Sequence, residues 1–240
     1  MSLDRIAFLD GASLPELREL LDHADPAQRS DAACALGDRL RTHEIDGLEV
    51  ELQGKLAALL DDPVPMVRFE AAIALAEARD ARATPVLLGA MGVRALRLDA
   101  VRALGAVGDP QAVVPLTKMM IGWLMPWADR LQAAAALCAL GDAAGAEYLR
   151  QRLASRRVAE AAAAIHFIAE SRHPLARSLL ETILASQVSL LRDAAVRALG
   201  VLGDPASRPA LEAARSGADT ELAADIDAAL AALASASNWP

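Results

Sequence analysis

The sequence predicts an all-α fold, an α-solenoid in which about six or seven helical pairs wind into a right-handed superhelix. Composition is the first reason, because Ala and Leu make up 94 of the 240 residues and only 3% of residues are aromatic. Ala and Leu are strong helix formers, whereas strands favour β-branched and aromatic residues. A sequence repeat is the second reason, and the residues that divide each repeat into two helices are the third.

The repeat is clearest in residues 95–110 (ALRLDAVRALGAVGDP) and 190–205 (LLRDAAVRALGVLGDP). Related segments occur at 28–40, 67–81, 129–143, 158–174 and 224–234. Each contains an apolar position that we expect to be buried: Leu36, Leu75, Leu104, Leu137, Ile165 or Ile168, Leu199 and Leu230. The mean spacing is about 32 residues, which is typical of solenoids whose stacked units share one continuous core.

Gly-Asp-Pro sequences at 108–110 and 203–205 mark the joint between the two helices of a unit. Gly can end the first helix in the left-handed conformation, Asp can cap the second helix, and Pro suits its first turn. The first helices are predicted at 27–41, 64–79, 94–107, 127–140, 157–170, 189–202 and 219–234. The second helices are predicted at 14–22, 48–60, 82–91, 110–121, 143–154, 175–185 and 205–215.

This pattern resembles the HEAT repeat, and more narrowly the short HEAT-like units first described in phycobilisome lyases. An arginine, two spaced alanines, Leu-Gly and the Gly-Asp-Pro joint carry the resemblance, as in Arg97, Ala100, Ala103, Leu104 and residues 105–110. It covers roughly residues 25–234. The resemblance implies a scaffold or adaptor that binds proteins through a curved helical surface. A bilin lyase or isomerase-like accessory protein that binds a tetrapyrrole is the alternative implied by the same resemblance.

Charge and cysteine content indicate which partners and which cellular compartment to expect. The net charge is −8, and residues 1–62 carry all of this excess, so we expect no nucleic acid as a partner. The acidic end either steers a basic partner or keeps the protein in solution. Cys34 and Cys138 are interpreted as small buried side chains in a reducing cytoplasm, and the sequence indicates neither a signal peptide nor a transmembrane helix. We expect a cytoplasmic protein of bacterial type.

We expect a single domain over residues 1–240, with an N-terminal cap at 1–24 and a C-terminal cap at 217–240. No catalytic residue, metal site or cofactor is predicted, because the four histidines lack paired ligand spacing and no phosphate loop or nucleophile motif occurs.

A residue type that recurs in every unit solves a packing problem that every unit shares. One column of the repeat contains arginine: Arg29, Arg68, Arg97, Arg130 and Arg192. We interpret this column as structural and expect its guanidinium groups to bind carbonyl groups or acids of adjacent units.

Residues 119–127 (MMIGWLMPW) break the repeat, since they contain no charge and include two of the three tryptophans. The candidate binding residues here are Met119, Trp123, Met125 and Trp127. Trp and Met are enriched at protein interfaces, so the segment is a candidate for partner binding or self-association. Two alternatives stay open: the side chains fill an irregular gap in an alanine-rich core, or they line a small-ligand pocket.

A second break is basic, and it contains four arginines within eight residues: Arg150, Arg152, Arg156 and Arg157. These side chains either grip an acidic partner segment or form a solvated helix end. The sequence therefore predicts a non-catalytic scaffold or adaptor that binds another protein, with neither nucleic acid nor membrane as a partner.

Overall fold

A computed structural model describes residues 11–171, 176–186 and 188–235. Within these residues every regular element is helical, which confirms the predicted all-α repeat fold. The helices are α1 (Leu14–Leu20), α2 (Pro26–Arg41), α3 (Val50–Ala58), α4 (Pro65–Glu77), α5 (Thr84–Ala90), α6 (Arg97–Val107), α7 (Val113–Ile121), α8 (Trp127–Ala139), α9 (Ala143–Leu153), α10 (Val158–Ser171), α11 (Ala176–Leu184), α12 (Ser189–Leu202), α13 (Arg208–Arg215) and α14 (Thr220–Ser235).

The helices group into two compact units, Met1–Pro115 and Leu116–Pro240, and each of these contains several helical pairs of the repeat. In the first unit α2 packs against α4 and α4 packs against α6, with α3 and α5 beside them. In the second unit α8, α10, α12 and α14 pack in succession, and α9, α11 and α13 lie against them. In the first unit the most extensive contact joins the consecutive first helices α2 and α4, whereas in the second unit contacts within a helical pair are as extensive as those between first helices. The single domain expected over 1–240 stays a prediction.

The joints between helices follow the predicted chemistry. Gly108 and Gly203 end their helices at φ of 80° and 72°, a left-handed conformation that glycine adopts without a Cβ clash. Asp109 and Asp204 then accept hydrogen bonds from backbone N–H groups two residues later. Three residues of 3-10 helix follow each aspartate, so α7 and α13 begin three residues later than predicted.

The predicted apolar column forms the core of both units. Its buried members are Leu36, Leu75, Leu104, Leu137, Ile165, Ile168 and Leu199, each at most 2% exposed. The expectation for Leu230 is wrong, because that side chain is only half-buried. In α14 the buried positions are instead Leu222, Ile226, Ala229 and Leu233. Among the described residues, no helix combines the length and apolar character needed to cross a membrane.

Candidate functional site

Four arginines of the column each close the joint in front of a first helix, whereas the Nε of the fifth, Arg192, is buried without a hydrogen-bond partner among the described residues. Arg29, Arg68 and Arg97 each donate to a backbone carbonyl oxygen six residues earlier in the chain, at distances of 2.7, 2.7 and 2.9 Å. The acceptors are His23, Asp62 and Met91. These carbonyl groups follow the last turn of a helix, where no intrahelical donor is available to them. The predicted structural role is confirmed for these arginines.

Arg130 makes the same kind of bond across a longer stretch of chain. Its Nε donates to the carbonyl oxygen of Met120, 2.8 Å away and ten residues earlier instead of six. Four residues are therefore inserted between the acceptor and the column arginine. They fall in the α7–α8 connection, residues 122–126. The joints that Arg29, Arg68 and Arg97 close do not contain these extra residues.

The insertion exposes large apolar side chains. Trp123 is 84% exposed, Leu124 is 77% exposed and Ile121 at the end of α7 is 63% exposed. Trp127, the first residue of α8, is 47% exposed. These exposures contradict the alternative that the two tryptophans fill a gap in the core.

Two methionines behave differently from the tryptophans. Met119 was expected to contact a partner, but it is 4% exposed in α7, so it belongs to the core and is removed from the candidate surface. Its helical register turns it inward while Ile121 faces out. Met125 is half-buried, and its Cγ would lie 3.1 Å from a Cβ placed on Gly122. Met125 therefore packs on the insertion itself and supports its shape.

The fold brings the two breaks in the repeat to one end of the second unit. The helices α8 and α9 are joined by three residues and pack antiparallel, so the start of α8 lies beside the end of α9. Arg130 of α8 lies 5.4 Å from the ring centroid of Tyr148 in α9. Arg152, near the end of α9, lies 4.9 Å from the same centroid. Tyr148 thus contacts both the column arginine Arg130, which follows the first break, and Arg152 of the second break.

The other basic residues of this end differ in their partners. Arg150 forms an ion pair of 2.7 Å with Glu147, and Arg152 forms one of 3.3 Å with Glu160. Arg156 and Arg157 are exposed in the α9–α10 connection, and no ion pair joins either of them to a described residue. We name this surface the tryptophan–arginine face: Ile121, Trp123, Leu124, Trp127, Arg130, Tyr148, Arg152, Arg156 and Arg157.

Sequence reasoning missed an acidic cluster in the first unit. Burial raises the pKa of Glu70 in α4 to about 7, and the carboxylates of Asp38, Asp99 and Asp31 act in the same direction. A hydrogen bond with the Cys34 thiol opposes this shift. The repeat did contain a signal, since Asp31, Glu70 and Asp99 each stand two residues after a column arginine.

Both cysteines are free, and neither has an environment that would activate a thiol. Burial raises the pKa of Cys34 to about 12, as do the nearby carboxylates of Glu70 and Asp38. Burial likewise raises the pKa of Cys138 to about 12. Both thiols therefore stay protonated at neutral pH, where a nucleophilic cysteine needs the thiolate. In the part of the chain that the structure describes, no three His, Cys, Asp or Glu side chains are grouped as metal ligands.

Comparison with known families agrees with the helical repeat. A family model described as HEAT repeats matches residues 14–94 and 52–122. A second model, the PBS lyase HEAT-like repeat, matches residues 191–216. The chain is a HEAT-repeat protein. A comparison of this HEAT-repeat protein with curated proteins finds no match.

Solved structures are similar to this chain to different degrees. The complex of CpcE and CpcF of phycocyanin lyase from Nostoc sp. PCC7120 contains a chain with 21% identity and a TM-score of 0.56. The similarity covers 93% of this chain and 96% of that chain. Human deoxyhypusine hydroxylase in complex with glycerol has 18% identity, a TM-score of 0.39, and coverage of 97% of this chain and 98% of that chain.

Proposed function

We propose that this HEAT-repeat protein is a non-catalytic interaction scaffold whose partner protein binds the tryptophan–arginine face. The observation that supports this most strongly is the four-residue insertion before Arg130. Arg29, Arg68 and Arg97 close equivalent joints without it, so closure of the fold does not require the inserted residues. Instead of contributing to the core, the insertion places Trp123 and Leu124 in solvent.

The size of the exposed apolar surface fits a protein interface. At their observed exposures, the two tryptophans with Ile121 and Leu124 present on the order of 600 Å². The largest apolar patch on a typical monomer is about 300–600 Å² and is commonly functional. Aromatic anchors of this kind dominate the binding energy of protein interfaces. The basic side chains around them provide the polar rim that such an interface needs.

Quantitative capture from cells tests this proposal. The wild-type protein is compared with a variant that carries Trp123→Ser and Leu124→Ser, and bound proteins are quantified by mass spectrometry. The matched control is Val50→Ser at the start of α3, because Val50 is 87% exposed but lies in the first unit. We expect at least one protein to be lost with the double variant and retained with the control, while the melting temperatures of all three proteins agree within a few degrees.

A set of captured proteins that is identical for all three forms would contradict the proposal. A large fall in the melting temperature of the double variant would also contradict it, because truncation of side chains that stabilise a core costs several kcal/mol, about 3–5 for a tryptophan. Direct photo-crosslinking from position 123, in otherwise wild-type protein, gives a readout that does not depend on the stability of a variant.

A tetrapyrrole-binding accessory protein is the second candidate, supported by the match of residues 191–216 to the PBS lyase HEAT-like repeat. The two functions differ in a direct spectroscopic measurement. The scaffold should leave the visible absorbance of added biliverdin unchanged. A shifted and intensified absorbance band at equimolar protein would favour the accessory protein.

A further inference from the structure

We infer that the partner presents an acidic segment with an aromatic or leucine anchor to the tryptophan–arginine face. This inference rests on the proposed function, and it specifies the chemistry of the partner. Its basis is that the structure places apolar anchors and unpaired positive charge at one end of the second unit.

The local charge is opposite to that of the whole protein. Residues 118–160 contain six basic and four acidic residues, whereas the chain has a net charge of −8. The two glutamates of this region already face arginines, since Glu147 pairs with Arg150 and Glu160 with Arg152. The exposed basic residues that form no ion pair with a described residue are therefore Lys118, Arg156 and Arg157. Guanidinium groups match carboxylates well because their donors can form two parallel hydrogen bonds.

Contacts within the protein hold part of this face in place before binding. Arg152 is restrained by the Tyr148 ring on one side and by Glu160, and Ser155 donates a 3.0 Å hydrogen bond to the same glutamate. Arg130 is restrained by the Tyr148 ring and by the carbonyl oxygen of Met120. A face that is ordered in advance loses less side-chain entropy on binding. The tryptophans and the α9–α10 connection are thus attached to side chains that are already held in place by contacts within the protein.

The positive charge of the face also favours an acidic segment over two other possible occupants, a second copy of this chain and a membrane surface. In a symmetric dimer through this face, the same patch with its excess of positive charge would meet itself. Like charges across an interface oppose binding. A membrane surface is disfavoured by the number of free cations, because sites that read anionic lipid contain clusters of about four to eight basic residues.

A random dodecapeptide library displayed on phage tests the inference without knowledge of the partner. Selection uses the wild-type protein, and peptides that also bind the Trp123→Ser/Leu124→Ser variant are removed. We expect the enriched peptides to carry a surplus of Asp and Glu together with an aromatic residue or leucine. The most enriched sequence, made as a synthetic peptide, should bind at least about tenfold more weakly to Arg156→Ser/Arg157→Ser protein. Arg94→Ser, an exposed arginine of the first unit, is the control and should bind as the wild type does.

The outcomes that would overturn the inference are distinct. Enriched peptides that need Trp123 but are neutral or basic would overturn the acidic partner and leave the proposed function intact. Enrichment of no peptide that depends on Trp123 would overturn the inference, and the capture experiment would judge the proposed function independently. Binding to phosphatidylserine vesicles that is lost in the Trp123→Ser/Leu124→Ser variant would identify a lipid surface instead. Concentration-dependent sedimentation of the protein alone, also lost in that variant, would identify a second copy.

Discussion

Arg130 reaches back ten residues to the carbonyl oxygen of Met120, and this single 2.8 Å bond closes the base of the loop that carries Trp123. The same side chain lies over the ring of Tyr148, so it also connects the loop to α9. Exposed tryptophans on a mobile loop would lose entropy on binding, and a closed base reduces that cost.

Replacement of Arg130 by methionine should therefore destabilise the fold. The variant keeps a long apolar side chain but leaves the carbonyl group of Met120 without its donor, which costs about 1–3 kcal/mol for a buried group. Urea unfolding followed by circular dichroism measures the loss. Arg150→Met is the matched control, because its pair with Glu147 is exposed and should add no measurable stability. An equal loss in both variants would mean that the bond to Met120 contributes nothing.

Gly145 and Gly54 form a second pair of test positions. A Cβ on Gly145 in α9 would lie 2.5 Å from the carbonyl oxygen of Ala134 and 2.8 Å from Cβ of Leu137, both in α8. Gly145→Ala should lower the free energy of unfolding by roughly 1–3 kcal/mol, because the two helices must move apart. Gly54 in α3 has no atom within 4 Å of its Cβ position, so Gly54→Ala should add roughly 0.5–1 kcal/mol. Thermal unfolding of both variants tests the pair, and effects of the same sign would refute it.

The leucine column allows a test of the shared core. Leu104 and Leu199 are fully buried in different units, and replacement of either by alanine should cost about 2–5 kcal/mol. Leu98→Ala is the control, since Leu98 is 45% exposed in α6 and its truncation should change stability by less than about 1 kcal/mol. Chemical denaturation of the three variants supplies the comparison. A small loss of unfolding free energy at both buried leucines would contradict the assigned register of the repeat.

The raised pKa of Glu70 predicts a pH dependence of stability. Between its ordinary value of 4.5 and about 7, the folded protein binds a proton at Glu70 that the unfolded chain has released. The free energy of unfolding should therefore fall as pH rises through this window and level off above it. Glu70→Gln should remove that slope and unfold at a higher temperature than the wild type at pH 8.

Glu147→Gln provides the control for this measurement. The pKa of Glu147 is lowered by its hydrogen bond with Arg150, so that carboxyl is ionised throughout the window and its replacement should not change the slope. Melting temperatures recorded between pH 5 and pH 8 distinguish the two variants. If the melting temperatures of the wild type and of Glu70→Gln changed in parallel with pH, Glu70 would not be the source of the pH dependence.

The sequence predicted those features that repeat, because repetition reveals which positions face the core. The buried Leu104 and Leu199 and the caps at Asp109 and Asp204 all recur at a regular spacing. The register failed for Leu230 in α14, where Leu222, Ile226, Ala229 and Leu233 are buried instead.

Features that occur once were harder to predict. The predicted helix 110–121 ended at the observed end of α7, but the interpretation of residues 119–127 treated Met119 and Trp123 alike, since composition does not show which side chains of the segment face the core. The contact of Arg130 and Arg152 with one tyrosine depends on the antiparallel packing of α8 and α9, which spacing alone did not reveal. The carboxylate column at Asp31, Glu70 and Asp99 was visible in the repeat, but its proximity across helices became clear only in three dimensions.

The short reach of the arginine caps has an evolutionary consequence. Arg29, Arg68 and Arg97 each find an acceptor six residues back, so both halves of each of these three caps lie in a short stretch of chain across the boundary between two repeat units. Duplication or deletion of a whole unit in the gene would then leave each remaining cap intact. The joint at Arg130 shows that the same bond tolerates extra residues between donor and acceptor. A lineage can thus gain or lose units, or graft a recognition loop onto one joint, while the neighbouring joints keep their caps.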